Sequence, residues 1–443
     1  MKVELAGHYG YRRLVSTMAP MVAMMIVVSV YSIVDGLFVS NFAGSTPFAG
    51  MNLIWPVIAL AGTLGIMSGT GGSALVSKIL GEGDKVRASR IFSMIISLTV
   101  AGGALIAILL FILMPQIATA LGSDAALLPH AVRYGRIVVC MLPGYMLQMA
   151  FQPFYMVAER PEMGTRLSLA CGVLNIAVDA LLVAWMGWGL TGAAIGTALG
   201  FLLGGFYPLW YFSSRRNTTQ ICIIRGPIEW RSVARSLTNG LSEFVGNVSL
   251  AVCSICYNWQ LMRYIGADGV SAYGIVMYVG FTFAAVFIGY NLGVSQLISY
   301  NYGARNLDEM KSLLRKSLAL IAAGGLTLTL LAEVSAPLIA MFFVGFDESL
   351  CELTVHAVRI YMLSFLLCGF NMFASAWFTA LNNGVVSATV AFLRTLVFEI
   401  ASVFILPLLM GIEGIWFSVN AAEILALILS ASLLLAFRRR YGY

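Results

Sequence analysis

Six acidic side chains fall inside long apolar stretches of this sequence: Asp35, Asp179, Glu243, Glu333, Glu399 and Glu423. An ionisable group in hydrocarbon is costly, so it marks function more often than it faces lipid. Asp35 lies in Tyr31-Ser32-Ile33-Val34-Asp35-Gly36, fifteen residues after Pro20, a proline able to bend its helix. Asp179 follows Asn175 by one helical turn on the same face, and Thr197 lies in the next apolar stretch. Two carboxylates, an amide and a hydroxyl make an all-oxygen set suited to Na⁺. The same carboxylates, stripped of water, could carry protons near neutral pH. The plainer reading of each acid is a satisfied polar contact that only fastens helices together.

A second group is less specific. Glu243, with Asn247 one turn later, is a candidate contact for a substrate or a second cation, as are Gln148 and Asn371. Glu243 is equally placed to pack at the inner interface. Glu399 and Glu423 can be satisfied by Arg394 and by helix ends, and Glu333 sits near the outer end of its stretch. Cys253 and Cys256 form a C-x-x-C inside an apolar helix and read as small buried residues. Gly192, Gly196, Gly200 and Gly204 share one helix face and permit close packing. The chain has 26 Phe, 18 Tyr and 22 Met, which suits a cavity for varied flat or greasy molecules, though core and lipid contacts use the same residues. No G-x-x-x-x-G-K-[ST] phosphate loop, HExxH motif or serine-histidine-acid arrangement is present, and the three histidines lack metal-ligand spacing. An enzyme, an ATPase and a resident cofactor are therefore not expected.

The elements that carry these acids cross a membrane. Of 443 residues, 60% are hydrophobic and only 10% charged, too few charges to cover a soluble surface; mean hydropathy is +0.90. Apolar runs reach the 20 residues or so that a bilayer core requires. Charges, prolines and glycine-rich turns divide the chain into twelve spans, near 14–41, 52–77, 91–118, 134–158, 167–187, 190–212, 236–265, 271–298, 316–343, 356–381, 387–410 and 414–437. The first is too long for a signal-peptide core and is read as retained. With the N-terminus in the cytoplasm, inside segments hold 22 of the 26 Lys and Arg residues, from Lys2 to Arg440 and including Arg394. Only Arg133, Arg136, Arg263 and Arg359 fall outside. That segregation is the positive-inside pattern of a multi-pass inner-membrane protein with both termini cytoplasmic. It also explains the net charge of +6 without nucleic acid as a partner.

The two halves repeat at an offset of 222 residues: Gly44 matches Gly266, Gly71 matches Gly293, Ser73 matches Ser295, Gly81 matches Gly303 and Gly192 matches Gly414. Six spans per half return the chain to its starting side, so the halves are related by a pseudo-twofold axis along the membrane normal. The expected fold is an all-α polytopic protein with an N-terminal lobe (1–212), a cytoplasmic linker along the membrane surface (213–235) and a C-terminal lobe (236–443). Such repeats are common in transporters that open a central cavity to alternate sides.

Several motifs resemble the multidrug and toxic compound extrusion (MATE) family over the whole chain. They are Ser299-Tyr300-Asn301-Tyr302-Gly303-Ala304-Arg305-Asn306, the Gly81–Arg90 loop, Ser242-Glu243 and Arg394. The resemblance implies cation-coupled export of organic cations, drugs or toxic metabolites, with H⁺ or Na⁺ as coupling ion, a monomeric transporter and a role in antibiotic resistance. In the DinF-like branch an ion site uses residues at the positions of Asp35, Asn175, Asp179 and Thr197, and a bending proline at the position of Pro20. Another branch places a sodium-site acid in the tenth span, where this chain has Asn371 and no acid. The alternative is a flippase for lipid-linked or polysaccharide precursors of the same superfamily. The in-membrane acids favour a cationic cargo, and the D-R-x-G-R loop of major-facilitator transporters is absent.

Overall fold

The computed structural model describes residues 4–443 except Ala43, Ile228 and Phe346; Lys2, counted above, lies outside them. Among the described residues there is no strand. Ten helices are long and apolar enough to span a bilayer, and two bent pairs complete twelve crossings. In order, the crossings are Tyr11–Phe42, Ser45–Gly81, Lys85–Ala120, Leu128–Cys140 with Leu142–Val157, Pro161–Asp179 continued by Ala180–Trp185, and Gly189–Ser213. The second set is Leu241–Tyr264, Ala267–Gly303, Leu307–Val344, Glu348–Met362 with Phe365–Ala380, Gly384–Met410 and Ile412–Tyr441.

Most helices overrun the apolar stretches that announce them. At several of them a polar residue beyond the hydrocarbon caps the added turns. Asp84 accepts a hydrogen bond from the Arg87 amide (2.9 Å) and opens the third span. Asn306 does the same for the ninth through Glu309 (3.2 Å), and Asp347 opens the tenth through the amides of Ser349 and Leu350. The fourth span bends by 56° after Cys140. Pro143 starts its second segment, and a proline lacks the amide that would continue the helix. The tenth span bends by 46° between Met362 and Phe365.

The fifth and eleventh spans each contain a π-helical stretch, Ala180–Trp185 and Leu393–Glu399. A wider turn of this kind interrupts the regular ladder and recurs at functional sites. The first begins directly after Asp179, and the second ends on Glu399.

The repeat extends to backbone conformation. Gly44 (φ 93°) and Gly266 (φ 94°) share one left-handed setting before the second and eighth spans, and Gly189 (φ 52°) and Gly411 (φ 61°) share another. Each pair is separated by the 222-residue offset.

The halves touch along the second and eighth spans near the face that carries both termini. A Cβ on Gly81 would stand 2.0 Å from the Tyr300 carbonyl oxygen, and one on Gly303 2.0 Å from that of Lys78. Only glycine lets the two backbones approach so closely. Above this crossing, Ser77 donates to Gln296 (2.9 Å), and the Gln296 amide donates to Ser73 (3.0 Å). The N-terminal segment spans the same face: the Leu5 amide donates to Glu159 (2.8 Å), and Glu309 accepts from the Tyr9 amide (2.9 Å) and pairs with His8 (2.6 Å).

The segment joining the halves is more structured than a free surface linker. The Ile224 amide donates to Ser93 of the third span (2.8 Å), and Arg87 pairs with Glu229 (3.3 Å). A short helix, Trp230–Asn239, then leads through Gly240 into Leu241–Tyr264, and the two together form one element of membrane-spanning length, Trp230–Tyr264.

Candidate functional site

Asp179 is fully buried, and Asn175 and Thr197 nearly so. The fifth span places Asn175 and Asp179 one turn apart toward the first and sixth spans. Asp35 reaches them from the first span and lies within interaction range of both Asp179 and Asn175. Tyr134, from the first segment of the fourth span, sits beside Thr197 and close to both carboxylates. Six buried oxygens converge here without a hydrogen-bond partner: Asp35 Oδ1, Asn175 Oδ1, both carboxylate oxygens of Asp179, Thr197 Oγ1 and the Tyr134 hydroxyl. A buried polar atom left unpaired costs roughly 1–3 kcal/mol, so such a concentration needs a purpose. Two like charges side by side add repulsion. The donor set is all oxygen and anionic, which fits a hard monovalent cation or a proton held between carboxylates. Among the described residues no three His, Cys, Asp or Glu side chains cluster as a metal centre.

Two contributors were not singled out from sequence as site residues. One is Tyr134; nothing in its local sequence distinguishes it from other tyrosines. The other is Gly196. A Cβ at Gly196 would lie 2.6 Å from Asp179 Oδ1 and 3.3 Å from Asn175 Nδ2. The glycine face of the sixth span therefore leaves the space that Asp179 occupies, whereas Gly200 faces nothing within 4 Å. A cavity of about 200 Å³ opens on the face opposite the termini, between the helix starts at Pro47 and His130 and the turn at Trp188, and Tyr134 forms part of its wall. Pro20 lies inside the first helix without breaking it, and its carbonyl accepts from Thr165 of the fifth span (2.5 Å).

The remaining candidates do not join this cluster. Gln148 is buried with its Oε1 unpaired, pressed against Gly204 and near Tyr31, so it lies between the fourth, sixth and first spans. Glu243 is half-buried in the first turn of the seventh span. Asn247 is exposed, and its amide donates to the Glu243 main-chain oxygen (2.8 Å), so it does not support the carboxylate. Asn371 is fully buried and committed: its amide donates to Glu423 Oε2 (2.6 Å) and to the Glu423 carbonyl (3.0 Å), and its oxygen accepts from Ser430 (2.9 Å). Arg394 does not mark the entry to the eleventh span. It stands ten residues inside it and pairs with Glu423 through Nε (2.8 Å) and Nη2 (2.5 Å). It is thus a partly buried counter-ion inside the span rather than one of the loop cations of the positive-inside count. Glu333 pairs with Arg359 (3.6 Å) at the edge of the bundle.

The MatE family profile matches residues 20–181 and 244–405, one copy on each half. Multidrug export protein MepA of Staphylococcus haemolyticus is 24% identical over 424 residues, covering 95% of this chain and 92% of its own. MepA of Staphylococcus aureus is 23% identical over 412 residues, covering 91% and 89%. Among solved structures, a MATE protein in complex with MaL6 superposes with a TM-score of 0.92 at 19% identity, covering 99% of this chain and 97% of the other. The twelve crossings, the two-lobed repeat and the matched profile agree: this chain belongs to the MatE family, the multidrug and toxic compound extrusion proteins, and is a membrane transporter rather than an enzyme.

Proposed function

We propose that this protein exports small organic cations and drugs in exchange for an inward-moving H⁺ or Na⁺, using the Asp35–Asn175–Asp179–Thr197 cluster as its coupling site. The observation that carries this reading is the set of six unpaired buried oxygens, two of them from one fully buried carboxylate. Its cation ligands come from the first, fifth and sixth spans. A monovalent cation between Asp35 and Asp179 offsets their repulsion and draws these spans together. Losing it drives the first helix away, and Pro20 is where that helix can bend most cheaply. The Thr165 bond to the Pro20 carbonyl ties such bending to the fifth span that carries Asp179.

In this reading the lobes comprise residues 1–212 and 236–443, and the termini face the cytoplasm of an inner membrane. The glycine crossing of the second and eighth spans is then the closed inner gate, and the cavity ending at Tyr134 is the outer route to the coupling site. Glu243 draws cationic cargo toward the lobe interface, and the protein acts as a monomer. The MepA relatives, named as multidrug export proteins, support drugs as cargo. A precursor flippase would move anionic headgroups past two buried carboxylates, an unfavourable pairing. The test is dye or drug flux from proteoliposomes under imposed pH or Na⁺ gradients. Flux that ignores both gradients would overturn ion coupling.

A further inference from the structure

The C-terminal half holds a second buried acid that the N-terminal cluster does not use. Glu399 is 8% exposed and closes the π-helical stretch of the eleventh span. Its neighbours Arg394 and Glu423 neutralise each other, so one Arg faces two Glu and the group carries one uncompensated negative charge. Burying such a charge is costly unless something pairs with it.

The seventh and eleventh spans meet in three polar rungs. Cys253 Sγ donates to the Thr395 carbonyl (2.9 Å), and the Gln260 amide donates to the Val403 carbonyl (3.0 Å). Between them Tyr257 stands opposite Glu399. The outer rungs are made; the middle one is not. The Tyr257 hydroxyl is fully buried without a partner, and Gln260 Oε1 is buried without one as well. Tyr257 also occupies the position that matches Asp35 at the 222-residue offset, so the pair repeats the meeting of a first-helix residue with a fifth-helix acid. The other ionisable groups facing Glu399 are Cys253, Tyr273 of the eighth span and Tyr361 of the tenth. Tyr273 stacks on Tyr257 at 4.8 Å and meets Tyr361 edge-on at 6.5 Å. None of them is a cation. The groups stacked beside the carboxylate are aromatic rings rather than cations.

We infer that Glu399, with the Tyr257 hydroxyl, is a second ion-binding site in the C-terminal half, and that its ion is a proton. A proton on a Glu399 oxygen brings the Arg394–Glu423–Glu399 group to neutrality. It needs one partner oxygen, and Tyr257 supplies it. Asn371 and Ser430 hold Glu423 on Arg394, which keeps that arginine from quenching Glu399. The inference rests on the exporter reading only for what the proton is used for, not for where it binds.

The test is infrared difference spectroscopy of the purified full-length protein between acid and alkaline buffer, with Asp35→Asn and Asp179→Asn in the background to silence the N-terminal cluster. A protonated-carboxyl band is expected, lost on adding Glu399→Gln and moved in frequency by Tyr257→Phe. A band unchanged by Glu399→Gln overturns the site. A band abolished by Na⁺ but not by K⁺ at constant acid pH overturns the proton as its ion. Should Glu399→Gln fail to fold by size-exclusion chromatography, Glu399→Asp serves instead, and an unmoved band refutes the assignment. Gradient-driven drug flux in the wild type is read separately, so failure of export leaves this result independent.

Discussion

Replacing Gly196 with alanine is the most local perturbation of the proposed coupling site. The added Cβ would start 2.6 Å from Asp179 Oδ1, whereas ordinary contact begins at 3.4 Å, so the carboxylate must retreat by about 0.8 Å (3.4 − 2.6). Asn175 Nδ2, at 3.3 Å from the same Cβ, must give slightly as well. Cation ligands tolerate displacements of only about 0.2 Å, and disturbing groups that orient ligands costs about 10–100-fold in affinity or activity. We expect Gly196→Ala to lose ion-driven flux by that factor. Its melting temperature should hold or rise, because alanine is favoured over glycine in a helix by up to about 1 kcal/mol. Gly200→Ala is the matched control, since nothing lies within 4 Å of its Cβ. Gradient-driven dye flux in proteoliposomes and thermal melts of the same preparations read both effects. Equal flux from Gly196→Ala and Gly200→Ala would refute the argument that this glycine makes room for Asp179.

Three further outcomes follow. Gly81→Ala or Gly303→Ala forces the second and eighth spans apart by about 1.4 Å (3.4 − 2.0), opening the face that carries the termini; cysteine accessibility in that crossing should rise, and unchanged accessibility would count against a gate there. On the proposal that H⁺ and Na⁺ share the N-terminal cluster, Na⁺ affinity should strengthen from about pH 5.5 to 8, a range bracketing buried carboxylates, and lose that dependence in Asp35→Asn; a flat profile in the wild type would exclude a shared site. Glu243→Gln should weaken export of cationic dyes more than neutral ones, and equal losses would assign Glu243 to packing.

How far the sequence reveals this site depends on what each residue's signal is made of. Asp35 and Asp179 are legible because a charge in an apolar run stands out whatever its partners, and the one-turn spacing of Asn175 is a property of the helix itself. The twelve crossings follow from hydropathy for the same reason. Tyr134 and Gly196 are invisible because their roles exist only once the fourth and sixth spans pack against the fifth. Arg394 was misplaced because a count of loop cations cannot tell a residue ten positions inside a span from one at its mouth when no partner is known. That partner, Glu423, arrives from another helix 29 residues later. The π-helical stretches and the bend between Met362 and Phe365 leave the apolar pattern intact, so periodicity reads straight through them.

The central claim is that ions moving through the Asp35–Asp179 cluster are what drive cargo out. It is tested most directly in reverse. Vesicles containing the protein are given a gradient of a cationic dye and no ion gradient, and H⁺ and Na⁺ movement is followed with internal indicators. Downhill dye flow should drive one of these ions in the opposite direction in the wild type, and that ion movement should vanish in Asp35→Asn and in Asp179→Asn while both proteins remain folded. Ion movement at the wild-type rate in either variant would contradict the account.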